Sequence, residues 1–379
     1  LSAGHEVELE LIGTDWRKVV LSQSATPEAG KAMVWPSESS PGTPYTIPTF
    51  LVKDMYRSQV ESGSGGLLTV LYDDVDNPSI MRIIPKFRVQ DIHADLGTGT
   101  HPAFIVNGVE KSEIFIGAFQ ASQGAGSRAV SIPGRTPWTN INFDNARAAC
   151  TGKGTGWHLM TNWEWAAVML WCLKNGYQPR GNTDNGRAHD APCETISGGT
   201  PGKTGTGPAS WRHDGTLGGI ADLVGNMWER QDGMKLVDGQ VFMPNDNHFT
   251  QAEASWAAQG VFFDSTGTTG TDETATHNGA PILSAVRSVP SDDCGAGLGV
   301  GAPDYDYTMI VGEAGWRSVT MSASYNALAV AVRERMMQSG IAAKIIGTGA
   351  SPFSGKGTAA VRNYGERIPI RSGAWYSGA

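Results

Sequence analysis

At 379 residues and 40.2 kDa the chain can bury a large core, which fits one large domain plus a smaller one, or two domains. Hydrophobic residues at 40% and charged residues at 17% are ordinary globular content, and 49 glycines, above a usual share of roughly 7%, point to many turns and irregular loops. The net charge is −8 with Lys and Arg scattered, so there is no electrostatic footprint for nucleic acid or an anionic membrane, and no apolar run approaches the roughly 18 residues of a membrane span.

The first residues, Leu1 to Glu8, lack the basic and apolar regions of a signal peptide, so nothing in them argues for Sec export. Residues 1–79 read as a small β-rich unit. Glu6-Val-Glu-Leu-Glu-Leu-Ile12 alternates as a half-buried strand does, and Pro36 to Pro48 is a loop. Leu67 to Tyr72 is a second strand entered through Gly63-Ser-Gly-Gly66, a turn and not a phosphate cradle, because no helix follows it.

Residues 80–379 form the main domain. Ile80 to Val89 and Ile114 to Phe119 are strand-like. Asn142 can cap a helix carrying Phe143, Ala146 and Cys150 on one face. Thr161-Asn-Trp-Glu164 is a capping box, followed by Trp165, Val168, Met169 and Cys172 at helical spacing, with Gly176 placed as the C-terminal cap. That helix is apolar nearly all round and is expected to be buried. In the loop from 179 to 215, Gly198-Gly-Thr-Pro-Gly-Lys-Thr204 is one residue short of a phosphate loop and precedes no helix, which argues against nucleotide binding.

Leu217 to Glu229 is turn-dense and ends in a strand start. Residues 232–244 alternate as a hairpin about Asp238-Gly239, and residues 264–305, poor in hydrophobics, read as an inserted loop. Tyr325, Leu328, Ala329, Val332 and Met336 mark one face of a third helix that Gly340 closes. The chain then reads as a Tyr364-Gly365 turn, a strand from Arg367 to Arg371, and a loop of small residues holding up Trp375 and Tyr376. Rigid aromatics on a Ser/Gly/Ala loop have the composition of a recognition surface, the alternative being a buried strand with a core Trp.

Cys150, Cys172, Cys193 and Cys294 share no CxxC or Cys/His ligand spacing. Cys150 and Cys172 fall on helix faces as small core residues, and reduced thiols are the expectation, with a disulfide among the others as the alternative. Eight dispersed histidines carry no HExxH or paired spacing, and His189-Asp190 and His213-Asp214 lack an accompanying nucleophile motif, so all are read as solvated loop residues. Asp222, Asn226 and Glu229 are an oxygen-rich set with the chemistry for a hard cation, but are read as turn residues bonding their own backbone. Trp157, Trp163, Trp165, Trp171, Trp228 and Trp316 are read as core or rim packing.

Asn142-Phe-Asp-Asn-Ala146, Thr161-Asn-Trp-Glu-Trp-Ala166, Ile220-Ala-Asp-Leu-Val-Gly-Asn-Met-Trp-Glu229 and Arg371-Ser-Gly-Ala-Trp375, in this order, resemble the serial signature of the formylglycine-generating-enzyme branch of the C-type lectin fold. The resemblance covers roughly residues 80–379. Within that branch the chain is most similar to the variable proteins of diversity-generating retroelements, with Gly340-Ile-Ala342 and Gly365-Glu-Arg-Ile-Pro-Ile-Arg-Ser-Gly-Ala-Trp375 in the places of the family's Gly-Ile-Ala and Gly-Glu-Arg-Leu-Pro-Leu-Arg-Gly-Gly-x-Trp elements. Two departures stand in the pattern. Ser372 replaces a usual Gly, and the sequence stops at Ala379 where these proteins usually continue for a few tens of residues to a Gly-Phe-Arg element.

The resemblance implies an α+β C-type lectin fold with long irregular loops, preceded by the small β-rich unit. It also implies a non-enzymatic receptor-recognition protein on a phage tail or bacterial cell surface, whose C-terminal segment a retroelement rewrites. Diversified positions would lie near Ala374, Tyr376 and Ser377, with Trp375 part of the scaffold pattern; Ala374, Trp375, Tyr376, Ser377, Arg371 and Tyr364 are the expected ligand-binding residues, and Arg362 and Asn363 with Tyr364 border the same face. The expected partner is a protein or other surface ligand, without nucleic acid or membrane insertion, and the N-terminal unit would serve attachment or homo-oligomer assembly. Enzymes of this branch oxidise a substrate cysteine with a cysteine pair near the C-terminus. No cysteine follows Cys294, and the Glu-Pro-Asn calcium-sugar motif of animal lectins is absent, so neither a cofactor nor a metal is expected. The alternatives are an oxidase of the same branch and a structural tail or surface subunit.

Overall fold

The computed structural model describes residues 6–10, 16–20, 31–33, 44–46, 49–177, 179–188, 195–196, 201–265, 281–286, 309–315, 320–342, 358–362 and 365–376. The chain divides into two compact units, Leu1–Gly66 and Leu67–Ala379. Strands and helices are mixed in both, and the strands form small sheets.

In the first unit Glu6–Glu10 pairs antiparallel with Trp16–Val20, and Lys31–Met33 with Pro44–Thr46. The expected strand at Glu6 is present. The unit also holds a 15-residue helix, Thr49–Gly63, which the β-rich reading did not foresee. Val52, Met55, Tyr56 and Val60 stand at i, i+3, i+4 and i+8, a helical spacing that the β-rich reading passed over. The strand Leu68–Tyr72 belongs to the second unit, where it pairs with Pro78–Pro85, which in turn pairs with Glu113–Gly117. The boundary therefore falls after Gly66 and not near residue 79.

The second unit is built around the helix Asn162–Asn175. Thr161 caps it as the sequence implies: the Glu164 amide donates to Thr161 Oγ1 at 3.2 Å and the Thr161 amide to Glu164 Oε2 at 2.9 Å. Gly176 ends it with φ 73, a left-handed position that glycine adopts without penalty. Trp163, Ala167, Leu170 and Cys172 are buried, and with Leu96, Phe104, Met243, Leu283, Tyr325 and Met336 they form one continuous core. Each large apolar side chain fully removed from water contributes about 1.5–3 kcal/mol, so this helix anchors the unit. The shorter helix Phe143–Thr151 is capped by Asn142, whose Oδ1 accepts from the Asn145 amide.

Against the core lies a six-stranded sheet in the order Thr320–Met321, Pro281–Ser284, Ala257–Ser265, Gln240–Met243, Lys235–Val237 and Glu366–Arg367. Its pairs are antiparallel except the parallel contact of Pro281–Ser284 with Thr320–Met321. The hairpin turn at Asp238-Gly239 has both residues at positive φ, 47 and 81, the backbone an Asp-Gly pair favours. Part of the expected insertion at 264–305 is thus a strand, since Ile282 and Leu283 pair with Asp264 and Phe263. Two apolar residues between turn-formers are too few to carry a period. Residues 266–280 and 287–305 lie outside the described residues.

The expected third helix is two, Ala323–Asn326 and Val330–Gln338, separated where Ala329 turns extended at φ −53, ψ 142. Gly340 at φ 71 ends the second, with the Ile341 and Ala342 amides both donating to the Met336 carbonyl. The expected strand from Arg367 to Arg371 also splits. Glu366–Arg367 joins Leu236–Val237, and Ile370–Arg371 pairs with Glu229–Arg230, with Pro369, which has no amide hydrogen to give a ladder, in the bend between.

Candidate ligand-binding face

Two large aromatics stand out of the second unit at the same place. Trp228 and Tyr376 are each 57% exposed, with ring centroids 6.5 Å apart at 60°. Trp375, half-buried, meets Tyr376 edge to face at 5.1 Å. Trp228 follows from the ladder: Glu229 opposes Arg371, and side chains alternate along strands, so Trp228 projects to the face opposite Glu229, the same face as Ile370, itself 50% exposed. Reading Trp228 as core or rim packing is therefore corrected. Trp163 is buried, Trp157, Trp165 and Trp171 are half-buried, and Trp316 lies outside the described residues.

The sequence-derived site residues divide into three groups. Tyr376, with Trp375 beneath it, reaches the surface. Ala374 does not: it is 5% exposed and is corrected from a contact residue to a packing residue. Arg371 is likewise turned inward. Its Nη2 donates to Asn162 Oδ1 at 2.5 Å, its Nε is buried without a partner, and burial pushes its pKa down to about 10. It ties the C-terminal segment to the first residue of the central helix and does not border the face. Asn363, Tyr364 and Ser377 lie outside the described residues.

The loop 372–376 is positioned by backbone contacts on both sides. The Trp375 amide donates to the Asn226 carbonyl at 3.0 Å and the Trp375 carbonyl accepts from the Asn185 amide at 2.7 Å. Ser372 Oγ donates to the Gly225 carbonyl at 3.1 Å. Gly225 lies so close to Asn182 that a Cβ there would strike the Asn182 carbonyl.

Beneath the loop is a buried polar network. Asn226 Nδ2 donates to Gln120 Oε1 at 2.9 Å, and Asn226 Oδ1 accepts from the Gly202 amide at 2.9 Å and from Asn182 Nδ2 at 3.3 Å. Gln120 Nε2 faces the carbonyls of Asp222, Gly225 and Met227 and Glu229 Oε1. Asp222 and Asn226 do occupy turn positions, at φ 59 and 60, yet their side chains bind distant backbone, Asp222 Oδ2 taking the Gly205 amide at 2.7 Å. Burial raises the Asp222 pKa. Burial, with the nearby Asp222 adding to it, pushes Glu229 up to about 7 against the opposing Gln120 hydrogen bond. The oxygens are thus engaged by protein donors, and among the described residues no group of three or more His, Cys, Asp or Glu is arranged for a metal ion.

Three of the described histidines depart from the solvated reading. His101 and His213 are fully buried, and burial lowers both pKa values to about 4. His158 is stacked on Phe249 at 3.7 Å and bridges the Gly156 carbonyl and Glu164 Oε1. The described cysteines, Cys150 and Cys172, are free, and burial pushes their thiols up to about 11 and 12, so neither is a thiolate nucleophile at neutral pH. His189, Cys193 and Cys294 lie outside the described residues. No helix among the described residues is long and apolar enough to cross a membrane.

No family model matches the chain, and no curated protein matches it significantly.

Proposed function

We propose that the chain is a non-enzymatic ligand-binding protein with a C-type lectin fold, a variable protein of a diversity-generating retroelement carried on a phage tail or bacterial cell surface. The observation that carries this reading is the separation of roles in the C-terminal segment. Ala374 and Arg371 are absorbed into the framework, while Tyr376 and Trp228 leave it without contributing to the core. A face built this way admits exchange of its side chains at little cost in stability. Its affinity would come from aromatic anchors in a polar rim, for a protein or other surface ligand. The N-terminal unit would attach or assemble the protein. The oxidase alternative is disfavoured by the two described thiols, Cys150 half-buried and Cys172 buried, whose pKa values are both raised.

The test is sequencing of the C-terminal coding segment and its neighbourhood in natural isolates. The proposal expects a near-identical repeat of that segment beside a reverse transcriptase gene, with substitutions clustered after Arg371 and Trp375 retained. A uniform segment with no such repeat overturns it.

A further inference from the structure

Gln120 is the hub that connects the aromatic loop to a titratable group. Its Nε2 carries two hydrogens but lies within 2.9 to 3.4 Å of four acceptors: Glu229 Oε1 at 2.9 Å and the carbonyls of Met227, Asp222 and Gly225 at 3.0, 3.2 and 3.4 Å. The same short loop presents its Gly225 carbonyl to Ser372 Oγ and its Asn226 carbonyl to the Trp375 amide. Whatever Gln120 gives to Glu229 it withholds from the loop that holds the aromatics.

We propose that Glu229 and Gln120 form a proton-operated latch, in which a protonated Glu229 leaves the Gln120 amide to clamp loop 222–227 and an ionised Glu229 draws it away, loosening the Trp375-Tyr376 loop. This rests on the reading of Trp228, Trp375 and Tyr376 as a binding face and assigns that face a regulation. An ionised carboxylate is a stronger acceptor than a neutral carboxyl, so ionisation redirects one of the two hydrogens. Asp222, on the same loop and buried, adds like-charge repulsion, and Arg212 is the cation facing Asp222. Across the ladder, Arg371 opposes Glu229 but directs its Nη2 to Asn162.

The direction follows from proton linkage. In the structure, where Gln120 Nε2 lies 2.9 Å from its carboxyl, burial and Asp222 raise Glu229 from 4.5 to about 7 against that hydrogen bond, and a latched form that gives the hydrogen to the loop lacks the opposing effect. The latched form therefore binds the proton more tightly than the opened form, in which the Gln120 hydrogen bond favours the carboxylate. Latching is strongest below about pH 4.5 and weakens as pH rises to about 7.

The measurement is hydrogen exchange of the full chain from pH 4.5 to 8.5 without any ligand. It is read on peptides within 366–376, corrected for intrinsic rates, with the helix Asn162–Asn175 as internal reference. In the wild type, opening of the 372–376 amides rises by about tenfold or more between pH 5 and 7, since each pKa unit between the two forms is a factor of about ten. Glu229→Gln, neutral at every pH, stays within about twofold of the wild type's acid level across the range. Gln120→Leu, which has no amide to clamp the loop, opens more than the wild type at pH 5. A Glu229→Gln profile that follows the wild type, or a wild type as flat as the reference helix, overturns the latch. Because no ligand enters the measurement, the latch can fail while the binding-face reading, which isolate sequencing tests, stands.

Discussion

Ser372 has a left-handed backbone that glycine would adopt without penalty. Its φ is 70, a region that costs a side-chain-bearing residue roughly 1–2 kcal/mol, and its Oγ recovers part of that through the Gly225 carbonyl. Ser372→Gly trades the strain for the lost hydrogen bond, worth about 0.5–1.5 kcal/mol, and is expected within about 1 kcal/mol of the wild type by urea unfolding at constant m. Ser372→Val loses the bond and adds a β-branched side chain at positive φ, and is expected to cost about 2–3 kcal/mol. A valine variant as stable as the glycine variant contradicts this account of the loop.

At the scale of elements, the start of the central helix carries a pH dependence of its own. Burial disfavours a charged His158, but the Glu164 carboxylate and the Gly156 carbonyl outweigh it and raise the pKa above 6.5. Burial likewise works against an ionised Glu164, and His158, the Thr161 amide and Asn247 outweigh it and lower the pKa. The imidazolium therefore stabilises the fold fully below about pH 6.5, and that contribution fades as pH rises through the folded-state value. Thermal unfolding of the wild type should lose more stability than His158→Gln as pH rises from 6.5 to 8.5, and parallel profiles refute the pairing.

This helix was also the most legible element in the sequence. Its capping box, apolar surface and terminal Gly176 agree in one local stretch, as do Asp238 and Gly239 for the hairpin. Thr49–Gly63 was legible in the spacing of Val52, Met55, Tyr56 and Val60 but was not read, and Pro281–Ser284 was not legible because a four-residue strand is fixed by its partners. At the candidate site the sequence shows Trp375 and Tyr376. It does not show that Trp228 joins them or that Ala374 and Arg371 turn inward, because those depend on the pairing of Glu229–Arg230 with Ile370–Arg371 across some 140 residues of chain. Gln120 carries no local signal at all; only the fold brings its amide to four acceptors.

For the molecule as a whole, the claim is that a stiff framework bears a face it does not need for its own stability. The framework side is visible in Gly225, where backbone approach excludes any side chain, and in the Arg371 to Asn162 tie between the C-terminal segment and the central helix. The face side is Trp228 and Tyr376, exposed and touching one another. Saturation substitution at Trp228, Tyr376, Ala374, Gly225 and Arg371, with the folded fraction of each variant read by protease resistance on a display platform, tests this most directly. Nearly all substitutions at Trp228 and Tyr376 should leave the folded fraction unchanged, a ΔΔG within about 0.5 kcal/mol as for other exposed sites, whereas most at Ala374, Gly225 and Arg371 should abolish it. If Tyr376 and Trp228 prove as intolerant as Gly225, they are structural residues and the binding-face account is wrong.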